Sequence, residues 1–491
     1  MEDNFVMANA IEGLKPALLW KYFAEICKIP RGSKNEKQVS TYVFETAKKL
    51  GLEAKQDKAL NVVVRKPASP GKESVPMICL QGHLDMVCEK NKETVHNFEK
   101  DPIELVRKGN LMMANGTTLG ADNGVAVATN LAIMEDNSLL HGPVEFLFTI
   151  DEETGLTGAN SLKPGFLQSK TLMNLDSEEE GALYVGCSGG RNTIGVWKAV
   201  VEKAPSKSVP AVLRVKGLKG GHSGLEIDKG RGNSIKIINR VLLAMGKIDA
   251  RVSTIEGGNK SNAIPREAEA LVYIPKSYLK KAHTIVENWN TTIKSELKTV
   301  EPDLAITVED VPGVKNGKVL KKDLQSMICQ TILALPHGVM KMSAEIAGLV
   351  ETSTNVAIIR TEKSKIELTT SQRSSVATEI DEIVQSVGAA FTLGGAKPLF
   401  AEGYPGWKPN LDSRILKTAK STYRSLFGKD PEVKAIHAGL ECGIIGEKFP
   451  GMDMVSFGPT LEGVHSPDEK IYIDTVEKFW KYLLEILKNV N

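Results

Sequence analysis

Apolar and polar positions alternate with two different periods along the first 190 or so residues of this chain. Apolar residues three and four apart predict helices at 15–29, at 35–50 and after Asp122. Short apolar runs typical of buried strands lie at Leu60–Arg65, Val75–Leu80, Val144–Ile150 and Thr171–Leu175. Because strands alternate with helices, we predict an α/β fold with a mixed, largely parallel sheet flanked by helices.

The pattern changes between about residue 190 and residue 400, where it predicts an α+β segment made of two similar units. Each unit is expected to have a helix, a strand and a second helix in that order. The predicted elements are a helix from Ser234 to near Gly246, strand Glu269–Pro275 and a helix at 278–298, then a helix at 323–335, strand Lys365–Ser371 and a helix at 375–391.

The last part of the chain resumes the first pattern, with helices near 410–427 and 474–489 around a strand at 451–457. We therefore expect one domain to be assembled from both ends of the chain, with the middle inserted into it. The predicted domains are residues 1–189 with 400–491, and the inserted residues 190–399.

Composition narrows the range of functions. The 491 residues are 42% hydrophobic and 25% charged, which is ordinary for a soluble globular protein. A net charge of +2 indicates neither a nucleic-acid nor a membrane partner, and no apolar run approaches the roughly 18 residues of a membrane span. The acidic start lacks the features of a secretory signal, and six scattered cysteines without a CxxC pair favour reduced thiols. We expect a cytoplasmic protein.

Five short stretches are rich in histidine or carboxylate, and most of them follow predicted strands or begin helices. They are Gly82-His83-Leu84-Asp85, Gly120-Ala121-Asp122-Asn123-Gly124, Asp151-Glu152-Glu153-Thr154-Gly155, Asn174-Leu175-Asp176 and Gly463-Val464-His465. Two histidines with several carboxylates are the ligand types of a hydrolytic zinc centre. Since functional residues of α/β sheets collect at the carboxyl ends of strands, we expect several of these side chains to converge there.

Each stretch taken alone also has an ordinary structural explanation. His83 can end a strand, and Asp122 can cap the helix that follows it. The Glu152–Glu153 pair can be a solvated acidic turn, although one of two adjacent carboxylates can also bind a metal while the other accepts a proton. His222, between glycines, is a turn histidine or a group that can meet a developing oxyanion.

In order and in local sequence, these stretches together with Gly221-His222-Ser223-Gly224 resemble the M20 family of metallopeptidases over nearly the whole chain. The resemblance implies two Zn ions, for which Co or Mn can substitute. It implies a bridging Asp122, a general base Glu152, an Asp85 that orients His83, and an Asp122–Asn123 peptide bond in the cis form. The implied metal ligands are His83, Asp122, Glu153, Asp176 and His465.

The same resemblance implies that the inserted segment is a lid domain that binds substrate and joins a homodimer. Asn262, Arg373 and Gly439 fall where relatives contact the substrate. The implied activity is hydrolysis of small dipeptides of the Xaa-His type, such as carnosine, with broader dipeptidase activity. Two alternatives stay open: an N-acyl amino-acid deacylase or other exopeptidase of the family, and a non-catalytic homologue that binds a ligand. The complete ligand set disfavours the second.

Overall fold

An eight-stranded mixed sheet carries the first of two structural units in the computed structural model, which describes residues 10–311 and 317–490. The units are discontinuous in sequence. The first comprises Met1–Gly186, Pro409–Ala435 and Leu440–Asn491, and the second comprises Cys187–Lys408 with Ile436–Gly439. Both ends of the chain therefore contribute to the first unit, while the role of the second as a lid domain stays a prediction.

Four central strands of the first sheet run parallel, and the strands that flank them on both sides pair antiparallel. The mixed sheet is confirmed, with its parallel pairing at the centre. Across the sheet the strands are Glu53–Gln56, Val62–Lys66, Val144–Thr149, Ile78–His83, Thr171–Asn174, Asp453–Ser456, Ala182–Cys187 and Glu432–Ile436. Val144–Thr149 and Ile78–His83 are buried along their whole length, as expected for parallel strands covered on both faces.

Helices cover this sheet, and a small four-stranded sheet lies in the same unit. Those helices are Ala17–Ile26, Lys37–Lys49, Ala121–Glu135, Glu152–Gly155, Thr157–Ser161, Arg414–Phe427, Glu441–Lys448 and Ile473–Asn489. The small sheet has the order Leu461–Glu462, Lys470–Tyr472, Leu111–Ala114 and Leu105–Lys108. The last helix buries Val476, Phe479, Leu483 and Ile486, whose spacing of three and four places them on one face. None of the helices in the described ranges is long and apolar enough to cross a membrane.

The second unit is built on a nine-stranded sheet whose two halves repeat one topology. In each half the chain runs strand, helix, strand, strand, helix, strand, and the strands have the spatial order 4-1-3-2. The first half is Ser208–Lys216, Ser234–Gly246, Arg251–Gly257, Ala268–Pro275, Leu279–Glu296 and Ala305–Asp310. The second half is Gly189–Lys198, Lys322–Ala334, Val350–Thr361, Lys365–Ser374, Ala377–Leu393 and Lys397–Phe400.

The two halves are nested in sequence and joined by antiparallel pairing of Gly257 with Ile359. Strand Gly189–Lys198 belongs to the second half but precedes the whole of the first half along the chain. The remaining strands are Gly338–Met342 beside Val350–Thr361, the pair Val201–Lys203 and Lys318–Leu320, and the pair Gly221–His222 and Ala263–Ile264.

Candidate metal centre

Three neighbouring parallel strands of the first unit deliver four of the candidate residues to one edge of the sheet. His83 is the last residue of its strand, and Asp176 lies two residues beyond the end of the adjacent strand. Glu152 and Glu153 begin a four-residue helix just after the strand on the other side of His83. The carboxyl ends of parallel strands share an edge, and this shared edge is why residues distant in sequence meet here.

Asp122 faces two histidines with its two carboxylate oxygens. Its Oδ1 lies 3.1 Å from Nε2 of His83, and its Oδ2 lies 3.2 Å from Nε2 of His465. Each histidine nitrogen also has a second carboxylate nearby. Nε2 of His83 lies 3.3 Å from Oδ1 of Asp176, and Nε2 of His465 lies 2.9 Å from Oε2 of Glu153. Two histidine–carboxylate pairs thus share one aspartate, which is the arrangement of a bridging ligand.

The five side chains fit divalent metal ions. His83, Asp122 and Glu153 each present a potential ligand atom, and these atoms lie within 4.8 Å of one another. Oε1 of Glu153 is buried and receives no hydrogen bond from the described residues. A buried carboxylate oxygen without a donor is costly, and a cation at this place supplies the missing partner. Imidazole and carboxylate are ligands that zinc accepts.

The electrostatics of the cluster also favour a cation. Hydrogen bonds to Asp122 and Glu153 raise the pKa of His465 to about 11, although burial opposes the rise. Burial lowers the pKa of His83, but the charge of Asp176 and the hydrogen bond to Asp122 outweigh it and hold the pKa well above its usual range. Carboxylates thus surround both imidazoles, and a metal ion would compete with protons for the ring nitrogens.

Asp85 connects His83 to the turn that carries the paired glutamates. Its Oδ1 lies 3.3 Å from Nδ1 of His83 and accepts the backbone N–H of Glu152 at 3.0 Å. Its Oδ2 accepts the N–H of Glu153 at 3.2 Å and the hydroxyl of Ser33 at 2.8 Å. Burial raises the pKa of Asp85, but the contact with His83 prevails and lowers it to about 2. The ionised carboxylate can therefore hold the imidazole in place.

Glu152 differs from its neighbour Glu153 in having an uncommitted side chain. Among the described residues, its carboxylate makes neither a hydrogen bond nor an ion pair, and only its backbone N–H is tied to Asp85. Burial raises the pKa of Glu152 well above its usual range, and the charges of Asp176 and Glu441 add to the rise. An available carboxylate beside the ligand cluster is suited to accept a proton.

Asn123 is a structural residue of the centre that sequence reasoning missed. The Asp122–Asn123 peptide bond is cis, as expected. The side-chain oxygen of Asn123 accepts the N–H of His83 at 3.2 Å, and its amide donates to the carbonyl of Leu175 at 2.9 Å. A Cβ at Gly82 would lie 2.5 Å from this amide oxygen, so glycine is needed there. The only sequence signal was the position of Asn123 directly after Asp122.

A buried row of polar side chains beneath the ligands was also missed. Oε2 of Glu441 accepts hydrogen bonds from Gln81 and Thr149, both at 2.6 Å. Burial raises the pKa of Glu441 to about 7. From Gln81 the row continues across the neighbouring strands through Asn174, Ser456 and Ser177. It fixes the strand ends relative to one another just below the ligands.

A second acidic group, Glu36, Asp85 and Asp151, has a structural explanation. Glu36 accepts the backbone N–H groups of Lys34 at 2.8 Å and Asp151 at 3.0 Å. Asp151 accepts the hydroxyls of two threonines in the turn that follows it. Because protein donors already satisfy these carboxylates, the group stabilises loops and is not a second metal site.

Within the second unit, the structure brings His222 and Asn262 together. Strand Gly221–His222 pairs with Ala263–Ile264, and the N–H of Ser223 donates to the carbonyl of Asn262 at 2.8 Å. Both residues line a cavity of about 840 Å³. Nδ1 of His222 accepts the backbone N–H groups of the two residues that follow Ser223, at 3.2 and 3.1 Å. The ring proton is therefore on Nε2.

His222 is also held neutral. Burial lowers the pKa of its imidazole to about 4, and the charge of Arg373 contributes to the shift. A neutral imidazole with its proton on Nε2 can donate one hydrogen bond from that atom and has no positive charge. His222 is thus suited to stabilise a developing oxyanion as a hydrogen-bond donor.

Arg373 and Gly439 meet at Tyr404 in the same unit. Nη1 of Arg373 donates to the Tyr404 hydroxyl at 2.8 Å, while its buried Nε has no hydrogen-bond partner among the described residues. A Cβ at Gly439 would lie 2.8 Å from Cε2 of Tyr404, so the backbone there approaches the ring closely. An arginine with donors still available can bind a carboxylate group.

Comparisons with known proteins identify relatives of this chain. A model of peptidase family M20/M25/M40 matches residues 79–489. The chain is 40% identical over 483 residues to the cytosol non-specific dipeptidase of Escherichia coli (strain K12), covering 98% of this chain and 99% of that protein.

Solved structures show the same likeness. The aminoacylhistidine dipeptidase of Vibrio alginolyticus superposes with a TM-score of 0.89 and 40% identity, covering 98% of each chain. The aminopeptidase PepT of Bacillus cereus ATCC 10987 has a TM-score of 0.56 and 17% identity over 97% of this chain and 99% of that one, which is a likeness of fold alone.

Proposed function

Because this chain belongs to peptidase family M20/M25/M40, and is thus a metal-dependent peptide hydrolase, we propose that it cleaves dipeptides, including Xaa-His dipeptides such as carnosine. Two relatives support the substrate class, since the Escherichia coli protein is named a non-specific dipeptidase and the Vibrio alginolyticus protein an aminoacylhistidine dipeptidase. The observation that carries the proposal is Asp122, whose two oxygens face His83 and His465.

Two zinc ions are the proposed cofactors, and cobalt or manganese can replace zinc at such nitrogen and oxygen ligands. His83 and Asp176 would hold one ion, Glu153 and His465 the other, and Asp122 both. Bound there, the ions would supply Lewis-acid activation of water and of the peptide carbonyl. The distances between Asp122 and the two histidines support this assignment.

Proton transfer is the proposed role of Glu152. Its carboxylate takes a proton from the attacking water and later gives it to the leaving amine. Asp85 keeps the imidazole of His83 and the backbone of Glu152 in position. The unengaged carboxylate of Glu152, next to the ligand cluster, supports this role.

Substrate recognition is the proposed role of the second unit. Nε2–H of His222 donates to the oxyanion that develops on the scissile carbonyl. Arg373 binds the free carboxylate of the dipeptide, helped by the backbone N–H of Gly439, and Asn262 contacts the substrate backbone. Support comes from the tautomer of His222 and from the unused Nε donor of Arg373.

We also propose a cytoplasmic location and a homodimer formed through the second unit. The name of the Escherichia coli relative supports the location. Strand Lys397–Phe400 supports the dimer, because it ends the sheet and exposes Leu399 and Phe400, and edge strands are ready to pair with another chain. Light scattering of the purified protein measures its mass, and a monomer at all concentrations contradicts the dimer.

A substrate panel tests the activity. The purified protein is assayed with carnosine, other Xaa-His dipeptides, dipeptides without histidine and N-acetyl amino acids, each with a chelator and after zinc is restored. We expect zinc-dependent cleavage of dipeptides and none of N-acetyl amino acids. Cleavage of N-acetyl amino acids alone identifies a deacylase, and inactivity on the whole panel with zinc bound contradicts an enzymatic role.

A further inference from the structure

Glu469 is a buried carboxylate next to the candidate centre that belongs to none of the proposed roles. It lies four residues after His465 and is 2% exposed. Its Oε2 accepts the backbone N–H groups of Leu119 at 2.8 Å and Gly120 at 2.9 Å, and its Oε1 accepts those of Ala121 at 2.8 Å and Asp122 at 3.2 Å. One side chain thus binds four consecutive N–H groups that end at the bridging aspartate.

Arg31 binds the opposite side of the same loop. Its Nη2 donates to the carbonyl of Gly120, whose N–H is bound by Glu469. Its Nη1 donates to the carbonyls of Leu84 at 3.0 Å and Asp85 at 2.9 Å, in the segment that begins with His83. Arg31 is 2% exposed. The peptide groups of Gly120 are therefore held from both sides by buried, oppositely charged side chains.

The loop needs these partners because of its conformation. Gly120 has a φ of +68°, and a Cβ there would lie 2.7 Å from Sδ of Met86. Asp122 and Asn123, near the start of helix Ala121–Glu135, have non-helical backbone angles, so the N–H groups of residues 119–122 precede the regular helical turns and need acceptors from elsewhere. The carboxylate of Glu469 supplies these acceptors. The position of Asp122 thus depends on Glu469.

We propose that Glu469 and Arg31 are positioning residues that set the affinity of the centre for its metal ions. The pair joins the loops of His83, Asp122 and His465 through backbone contacts and leaves the ligand atoms free. Glu469 is in the same loop as His465, so we expect it to act most on the ion held by Asp122, Glu153 and His465. The inference rests on the proposed metal centre.

Substitution Glu469→Gln tests the pair, with Glu462→Gln as the matched control. The introduced glutamine would keep one acceptor oxygen, but its NH₂ group cannot accept the two N–H groups that face it. Glu462 lies three residues before His465, and its half-exposed side chain pairs with Lys470. Zinc affinity is measured by competition with a coloured chelator, the number of bound ions by elemental analysis, and ligand geometry by the absorption spectrum of the Co-loaded protein.

For Glu469→Gln we expect zinc affinity to fall about 10- to 100-fold, as for other residues that position metal ligands. The more weakly held ion should be lost first, and the Co spectrum should change. Glu462→Gln should match the wild type in all three measurements. Glu469→Asp keeps the charge and should recover part of the affinity, which loss of packing alone would not explain.

The outcomes separate the two proposals. Wild-type protein that binds no divalent metal overturns the proposed centre. Wild-type protein that binds two ions, together with a folded Glu469→Gln variant of equal affinity and spectrum, overturns only the positioning pair. If Glu469→Gln does not fold, Arg31→Lys decides: it keeps the charge but loses the forked contact, so weaker zinc binding supports the pair and wild-type affinity overturns it.

Discussion

The histidines of the candidate metal centre in the first unit and two buried histidines of the second unit have opposite electrostatic environments. In the first unit, His83 and His465 lie among carboxylates, and their pKa values are raised. In the second unit, burial lowers the pKa of His222 to about 4 and that of His437 to about 3, and the charge of Arg373 adds to both shifts. The first unit is therefore suited to hold cations, and the second to present neutral hydrogen-bond donors beside a positive charge.

The hydrogen-bond partners of these histidines, as well as their burial, explain why their pKa values differ. Nδ1 of His437 lies 2.6 Å from the hydroxyl of Ser188, and its Nε2 lies 2.7 Å from the hydroxyl of Ser353. Hydroxyls can serve a neutral ring as donor and as acceptor, whereas a carboxylate favours the charged form. The chemical type of the neighbouring group, carboxylate or hydroxyl, therefore indicates whether a histidine is suited to bind a metal or to make neutral hydrogen bonds.

The largest expected effect is in the first unit. Glu152→Gln should lower kcat by about 10²- to 10⁴-fold, because the amide cannot accept the proton of the attacking water. Zinc content should be unchanged, since Glu152 is not an assigned ligand. Elemental analysis and steady-state kinetics measure both, with Glu179→Gln, an exposed partner of Lys434, as the control. A wild-type kcat in Glu152→Gln would contradict the proposed role of Glu152 in proton transfer.

His222 carries the next largest effect, in the second unit. His222→Ala should lower kcat by roughly 10²- to 10³-fold, the usual cost of losing one oxyanion donor. Bound zinc should stay at the wild-type level, unlike in His465→Ala, which should lose metal. His283→Ala is the control, because His283 is half exposed in the same unit. Zinc loss in His222→Ala would contradict the division between the units.

Substrate affinity should respond to Arg373. Arg373→Lys keeps the charge but loses the forked geometry, so KM for dipeptides should rise about tenfold with a smaller change in kcat. Arg240→Lys, whose guanidinium pairs with Glu296 and does not line the cavity of His222 and Asn262, should leave KM unchanged. If dipeptide amides, which lack the free carboxylate, are cleaved as well as dipeptides by the wild type, Arg373 does not select for that group.

The smallest expected effect is on acid stability. The pKa of His437 is about 3 in the folded protein against an ordinary value of 6.5, so the unfolded chain binds a proton more readily in this window. Stability should therefore fall as the pH is lowered from 6.5 toward 3. His437→Gln should make the decline of Tm with pH shallower, as measured by circular dichroism, while His283→Gln should not. Equal slopes in all three proteins would contradict this assignment.

The candidate ligands were identified from the sequence because their short strings, taken in order, resemble those of the M20 family, and most of them follow a strand or begin a helix. The sequence did not predict Glu469 or Arg31, because both act on backbone groups of distant loops. Asp122 is 347 positions from Glu469. The residues next to Glu469 in the sequence do not indicate that its carboxylate accepts four backbone N–H groups from another loop.

Some elements of the fold were missed for a related reason. The four helices of the repeat in the second unit and one strand of each half, Ala268–Pro275 and Lys365–Ser374, were predicted from local periodicity, and Ser234–Gly246 has the predicted bounds. The other strands of the repeat were not predicted. Strand Gly189–Lys198 was not predicted, because its partners, Lys365–Ser374 and Lys397–Phe400, are far along the chain. Periodicity reports which face of an element is buried, but pairing between distant strands depends on the whole fold.

The order of strands in the first sheet bears on how the protein matures on the ribosome. Asp453–Ser456 lies between Thr171–Asn174 and Ala182–Cys187, so the nascent sheet has a gap until the last tenth of the chain emerges. His465 emerges later still. Assembly of the proposed metal centre must therefore await nearly complete translation.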